Sequence, residues 1–137
     1  MNQELLEAYS NTNYHVFNPK LLINIGKENI ELNIFLKEKN YKSWCYITAW
    51  NPLSASNFTI EDNTTLNNQL LEDIKKYPNH IGEGKDAEGI WPGEESYFVC
   101  NISKEKSIEL GKKYKQNAIV FGTINEMAEL IILEKLV

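Results

Sequence analysis

The sequence predicts an α+β domain, a mixed and mostly antiparallel sheet packed by about three helices. Three observations predict it. Short runs dense in aromatic and β-branched residues, at Trp44 to Trp50, Tyr97 to Ile102 and Ala118 to Phe121, have the make-up of strands. Between them lie two stretches with helical signals, Glu61 to Tyr77 and Ser103 to Tyr114. No fixed-period repeat and no linker rich in Pro, Gly or Ser interrupts the 137 residues, so one domain over 1–137 with one core is expected.

Gln3 to Tyr9 reads as a short helical lead, followed by an extended run at Tyr14, Val16 and Phe17 that ends at Asn18-Pro19. Leu21 to Ile25 forms a second strand, stopped by Gly26. Glu28 to Lys39 carries two periodicities. Ile30, Leu32, Ile34 and Leu36 alternate like a strand, while Leu32, Phe35 and Leu36 share a helical face. A length of about a dozen residues and the polar exit Lys37-Glu38-Lys39-Asn40 favour helix. Trp44 to Trp50, closed by Asn51-Pro52, presents Cys45, Ile47 and Ala49 on one face and Trp44, Tyr46, Thr48 and Trp50 on the other. Two covered faces place this strand centrally. Glu61 to Tyr77 has Leu66, Leu70, Leu71 and Ile74 as its apolar stripe, and Pro78 ends it.

Gly82 to Gly93 holds four of the seven glycines among Glu83, Lys85, Asp86 and Glu88, and reads as a mobile surface loop able to cover a ligand site. After the strand Tyr97 to Ile102, Ser103 is placed to cap a helix running to about Tyr114. Ala118 to Phe121, the connection Gly122 to Asn125, and Leu130 to Leu136 then form an antiparallel pair.

Composition narrows the function classes. With 42% hydrophobic and 24% charged residues, the chain has the profile of a self-folding globular domain. No apolar run reaches the roughly 20 residues of a membrane-spanning helix, and Met1 to Glu7 lacks the basic start of a signal peptide; no membrane partner and a cytoplasmic location are expected. Cys45 and Cys100, both within apolar runs, are expected buried and reduced. A net charge of −5 and 14 cationic residues that are all Lys argue against nucleic acid as a partner, because no Arg fork is available for phosphate or guanine.

Three polar clusters flank the strands: Thr48 with Asn51, Ser54, Ser56 and Asn57; Trp91-Pro92-Gly93-Glu94-Glu95-Ser96; and Gln116-Asn117. The first follows a strand and the others precede strands, so antiparallel pairing gathers all three at one edge of the sheet. The segments Ile47-Thr48-Ala49-Trp50-Asn51-Pro52, Trp91-Pro92-Gly93-Glu94-Glu95-Ser96-Tyr97 and Gln116-Asn117-Ala118-Ile119-Val120 resemble the spaced motifs of the bacterial domain-of-unknown-function family numbered 3293. The resemblance implies a compact bacterial domain and marks these positions without naming a reaction.

Glu94 and Glu95 are the candidate catalytic carboxylates, as base, metal ligand or acceptor from a ligand amine or hydroxyl, against the structural alternative of a solvated loop end; adjacent strand residues face opposite sides, so only one is expected to point inward. Asn51, Ser54, Gln116 and Asn117 are candidate hydrogen-bonding residues for a ligand, with Trp50 and Trp91 as stacking platforms. The competing roles are structural: Asn51 as a turn cap before Pro52, the tryptophans as core. His15 and His80 lack metal spacing, Gly82-Glu83-Gly84-Lys85 is not a P-loop, and no Gly-x-Ser-x-Gly elbow occurs, so no metal is expected and no cofactor is named. The lysines from Lys104 to Lys115, interleaved with Glu105 and Glu109, read as a solvated helix face.

Two functions follow from this pattern. The first is a small domain that binds or acts on a small polar ligand, nucleotide-like or amide-like, at the sheet edge. The alternative is an acidic protein-interaction domain, such as an inhibitor or immunity-type protein without catalysis, that meets a basic partner.

Overall fold

A computed structural model describes residues 3–55, 57–88 and 92–133. Its elements in chain order are α1 (Gln3–Ser10), β1 (Thr12–Val16), β2 (Leu21–Ile23), α2 (Ile30–Lys39), β3 (Ser43–Ile47), a 3₁₀ turn (Pro52–Ser54), α3 (Ile60–Ile74), β4 (Asn79–Asp86), β5 (Glu94–Cys100), α4 (Lys104–Lys113), β6 (Ala118–Thr123) and β7 (Glu129–Ile132). The strands form one sheet in the order β2-β1-β4-β5-β3-β6-β7. Every pairing is antiparallel, so the expectation of a mixed sheet resolves to a wholly antiparallel one among the described residues. Among the described residues, no helix is long and apolar enough to cross a membrane.

Local chemistry sets the helix starts. The Asn29 side chain accepts from the Leu32 N–H at 3.0 Å, which decides the ambiguous segment in favour of helix α2. Thr59 and Asp62 form a reciprocal capping box on α3, and Ser103 caps α4 through the Lys106 N–H at 3.0 Å. Asn40 ends α2 in the left-handed region at φ 61°.

Alternation along β3 divides two cores. Trp44 and Tyr46 join Tyr14, Val16, Leu21, Ile23, Phe98 and Cys100 beneath Leu32 and Leu36 of α2. Cys45 and Ile47 join Tyr97, Val99, Ile119 and Phe121 beneath Leu70 and Ile74 of α3 and Leu110 of α4. The strand lies between β5 and β6, the central place its two apolar faces require. Both cysteines are buried and unpaired.

Two elements differ from expectation. The stripe of α3 that packs on the sheet is Asn63, Asn67, Leu70 and Ile74, while Leu66 is half-buried and Leu71 exposed. The first part of the segment Gly82 to Gly93 is not a loop: through Asp86 it belongs to the eight-residue strand β4, paired on both sides, with β1 and β5. Gly82 suits this strand because neighbouring atoms take the place of a side chain. A Cβ on Gly82 would stand 2.1 Å from the His15 carbonyl oxygen and 2.6 Å from the Tyr46 hydroxyl. That hydroxyl donates to the His15 carbonyl at 2.7 Å, an arrangement only glycine admits. Residues 89–91 of the same segment lie outside the described residues, as do residues 134–136 of the last expected strand.

Candidate functional site

The register of β3 with β5 and β6 puts the C-terminal end of β3 beside the N-terminal ends of the other two, in the middle of the sheet and not at an edge strand. On the α2 side of this end the floor is made of alternate residues from five adjacent strands: Tyr14, Gly84, Glu94 with Ser96, Tyr46, and Ala118 with Val120. Small residues at Gly84, Ser96 and Ala118 leave the floor low. The wall comes from Glu4, Leu5, Ala8 and Tyr9 of α1 and from Leu53 and Ser54 of the 3₁₀ turn. Together they enclose a cleft of about 800 Å³, within the size range of small-molecule sites.

Glu94 is the half-buried acid of the cleft. Burial raises its pKa above the ordinary carboxylate value, and the Asn51 amide, 3.5 Å from its Oε2, offsets only part of that shift. The orientation of Asn51 follows from the backbone. Its own N–H donates to Asn63 Oδ1 at 2.8 Å, which leaves Asn63 Nδ2 to donate to Asn51 Oδ1, also at 2.8 Å. With its oxygen thus engaged, Asn51 turns Nδ2 toward Glu94. Asn51 therefore makes no side-chain cap to the 3₁₀ turn; it orients the acid.

The turn itself is strained. Asn51, Leu53 and Ser54 have φ of 47°, 56° and 59°, and a leucine in the left-handed region costs on the order of 1 kcal/mol or more. Asn63 holds the first of these residues, and the Leu53 N–H donates to the Lys115 carbonyl at 2.6 Å. Ser54 is thereby set between Asn117 and Tyr9: it accepts from Asn117 Nδ2 at 2.9 Å, and its Oγ lies 3.2 Å from the Tyr9 hydroxyl. Gln116 commits its Nε2 to the Trp50 and Tyr114 carbonyls, both at 3.2 Å, so its carbonyl oxygen is the group it can offer to the cleft it lines.

The two candidate carboxylates separate as strand alternation requires. Glu95 lies exposed on the opposite face, across from Glu83, and contributes only its carbonyl, which accepts from Thr48 Oγ1 at 2.7 Å and Asn67 Nδ2 at 2.9 Å. Trp50 takes part through its backbone, its N–H donating to Thr48 Oγ1 at 3.0 Å and its carbonyl accepting from Gln116. Trp91, its nearness to Trp50 and Ser56 lie outside the described residues.

Several residues of the site carry no sequence motif: Tyr9, Tyr14 and Tyr46 in the cleft, and Asn63 and Asn67 behind it. Burial raises the pKa of all three tyrosines and keeps their phenols neutral. The negative charge of Glu94 adds to the shift at Tyr9 and Tyr14. Asn67 Oδ1 accepts the buried Ala49 N–H at 2.8 Å while its Nδ2 reaches the Glu95 carbonyl, so one side chain ties α3 to the ends of β3 and β5. The available signal was spacing, since Asn63 and Asn67 continue the Leu70 and Ile74 stripe at helical intervals.

Fold and cleft together define an all-antiparallel α+β protein with an acid-bearing cleft on one sheet face. Residues 47–119 match the model of the family described as Protein of unknown function (DUF3293), and the chain belongs to that family. The match runs from the end of β3 into β6 and includes Asn51, Ser54, Glu94 and Gln116, whereas Tyr9 and Tyr14 fall before it. Neither the curated proteins nor the solved structures contain a match to this chain.

Proposed function

We propose that this protein binds a small polar ligand in the cleft, with Glu94 accepting a hydrogen bond or a charge from it. The observation that supports this most is a carboxylate held in a roomy cavity with a raised pKa and a single amide, Asn51, as its side-chain partner among the described residues. A group so placed gains most from a donor that replaces its lost water, and raised carboxylate pKa values gather at functional sites. Tyr9, Ser54 and the Gln116 carbonyl add neutral hydrogen-bonding groups along the wall. A thermal-shift panel of nucleosides, amino acids, amides and amines tests the reading, because ligand at a hundredfold over Kd stabilises the fold by about 2.7 kcal/mol. A saturable rise in Tm that Glu94→Gln or Ser96→Phe abolishes supports it. No rise with any compound, or one that persists in both variants, counts against it.

A second reading, the acidic interaction domain, rests on a different surface. Leu22, Phe17 and Ile81 are 46%, 58% and 51% exposed on the β2-β1-β4 part of the sheet. Phe17 and Ile81 are neighbours through the Phe17 N–H to the Ile81 carbonyl, and His15 stands between Leu22 and Glu83 in the register. Under this reading a photo-crosslinker at Ile81 captures a basic protein in cells while one at Ser96 does not.

A further inference from the structure

We propose that the cleft recognises an uncharged carboxamide with an apolar body, its N–H donating to Glu94 and its carbonyl accepting from the hydroxyl pair of Tyr9 and Ser54; this rests on the cleft being a ligand site. The first support is a count of hydroxyl hydrogens. Asn117 Nδ2 donates to Ser54 Oγ at 2.9 Å, and the Ser54 and Tyr9 hydroxyl oxygens, 3.2 Å apart, share one further hydrogen bond. If Tyr9 is the donor in that bond, the Ser54 hydrogen is left over; if Ser54 is the donor, the Tyr9 hydrogen is left over. Either way the pair has one hydrogen to donate outward, from an exposed serine or a half-buried tyrosine, both of which line the cleft.

The second support is the acceptor beside that donor. Glu94 is close enough for its negative charge to act on Tyr9, and among the described residues the Asn51 amide, at 3.5 Å, is the one side chain bonded to it. An amide carries both complements, a donating N–H and an accepting carbonyl. An alkylammonium has no acceptor for the hydroxyl pair, and a carboxylate has no donor for Glu94 and is repelled by it. The third support is accessible apolar surface next to these groups. Ala8 of α1, Leu53 of the 3₁₀ turn and Pro92 line the cleft and are exposed, Leu53 by 51%. A ligand body that covers them removes apolar surface from water, which a bare amide head could not do.

The test is a chemical-shift titration of the isotopically labelled full chain with hexanamide and benzamide, against hexanoate, hexylamine and hexanol. Both amides are expected to bind once per chain and to shift the backbone signals of Ala8, Leu53, Ser54 and Glu94, which hexanoate and hexylamine leave unmoved. Hexanol, which loses one of the two hydrogen bonds, should bind about fivefold more weakly than hexanamide. Ser54→Ala and Tyr9→Phe each leave one hydroxyl hydrogen to donate and should each keep hexanamide affinity within about twofold of wild type. The double variant has none, and its affinity should be at least about tenfold lower, more than the product of the two single effects. A double variant no weaker than that product overturns the inference, as does amide binding outside the cleft or binding matched by hexanoate or hexylamine. Should the double variant not fold, the comparison of hexanamide with its three analogues on the wild-type chain decides. If no amide binds but a compound of the thermal panel binds in the cleft, the inference falls and the cleft reading stands; if nothing in either panel binds, both fall.

Discussion

Asn67→Ala should be among the most destabilising polar truncations in the chain, and its cost can be worked from the structure. Asn67 is 2% exposed, and its Oδ1 is the acceptor for the N–H of Ala49, itself fully buried. Removing the amide leaves that N–H without a partner, at about 1–3 kcal/mol. The Glu95 carbonyl loses Nδ2 but keeps Thr48 Oγ1, so only the net worth of one hydrogen bond, about 0.5–1.5 kcal/mol, goes with it. Alanine returns about 0.6 kcal/mol of helix propensity. The balance is about 1–4 kcal/mol, centred near 2.5, which is a Tm fall on the order of 10 °C for a domain of this size. Urea unfolding followed by tryptophan fluorescence measures it, with Asn68→Ala, the exposed neighbour on α3, as a control expected to gain about 0.6 kcal/mol from the same helix propensity. A loss below about 1 kcal/mol, or one no larger than the control's, would refute the claim that this amide holds α3 to the strand ends.

Glu94→Gln should raise stability at neutral pH: a folded-state pKa above the unfolded one means that wild-type stability is complete below the unfolded value and declines as pH rises through the folded one. The gain should therefore vanish near pH 4, and a gain that grows on acidification contradicts the assignment. Gly82→Ala should cost about 2 kcal/mol or more, since its methyl meets backbone at His15, whereas Gly26→Ala, with open space and only φ 76° against it, should cost about 1 kcal/mol in the same urea series. Burial pushes the thiols of Cys45 and Cys100 up to about 12, so neither should react appreciably with a thiol reagent in the native protein, and fast labelling of either would overturn its place in the core.

The strands and helices legible in the sequence were those whose local pattern agreed with their final environment. Trp44 to Ile47 announces a central strand because both faces are apolar, and Ser103 announces a helix start because its cap is local. The strand β4 was illegible because Gly82 and Gly84 have low strand preference of their own; the space beside Gly82 is taken by the His15 carbonyl and the Tyr46 hydroxyl, which approach from strands distant in sequence. The site divides in the same way. Asn51, Ser54, Glu94 and Gln116 mark the ends of recognisable strands, and antiparallel pairing alone brings those ends together. Tyr9 reaches the cleft, and Asn63 reaches Asn51 behind it, from helices whose sequence says nothing of which strand end they will meet, and Leu71 was mistaken for core because Asn67 holds the place a hydrophobic residue would ordinarily take.

The position of β3 has a consequence for synthesis. Trp44 pairs with Cys100 on one side and Gly122 on the other, so both neighbours of the central strand are translated long after it. At about 5–20 residues per second, the ribosome leaves Trp44-Cys45-Tyr46-Ile47 without either partner for several seconds. Until then the sheet contacts open to the nascent chain, among the described strands, are the hairpin of β1 and β2 and, once β4 is made, its pairing with β1. An apolar strand open along both edges is a template for intermolecular pairing, so this segment is where a nascent-chain chaperone has most to protect. Release from the ribosome before Phe121 is made should yield no folded fragment, because without β6 the central strand has an open side and the core under α4 lacks Ile119 and Phe121.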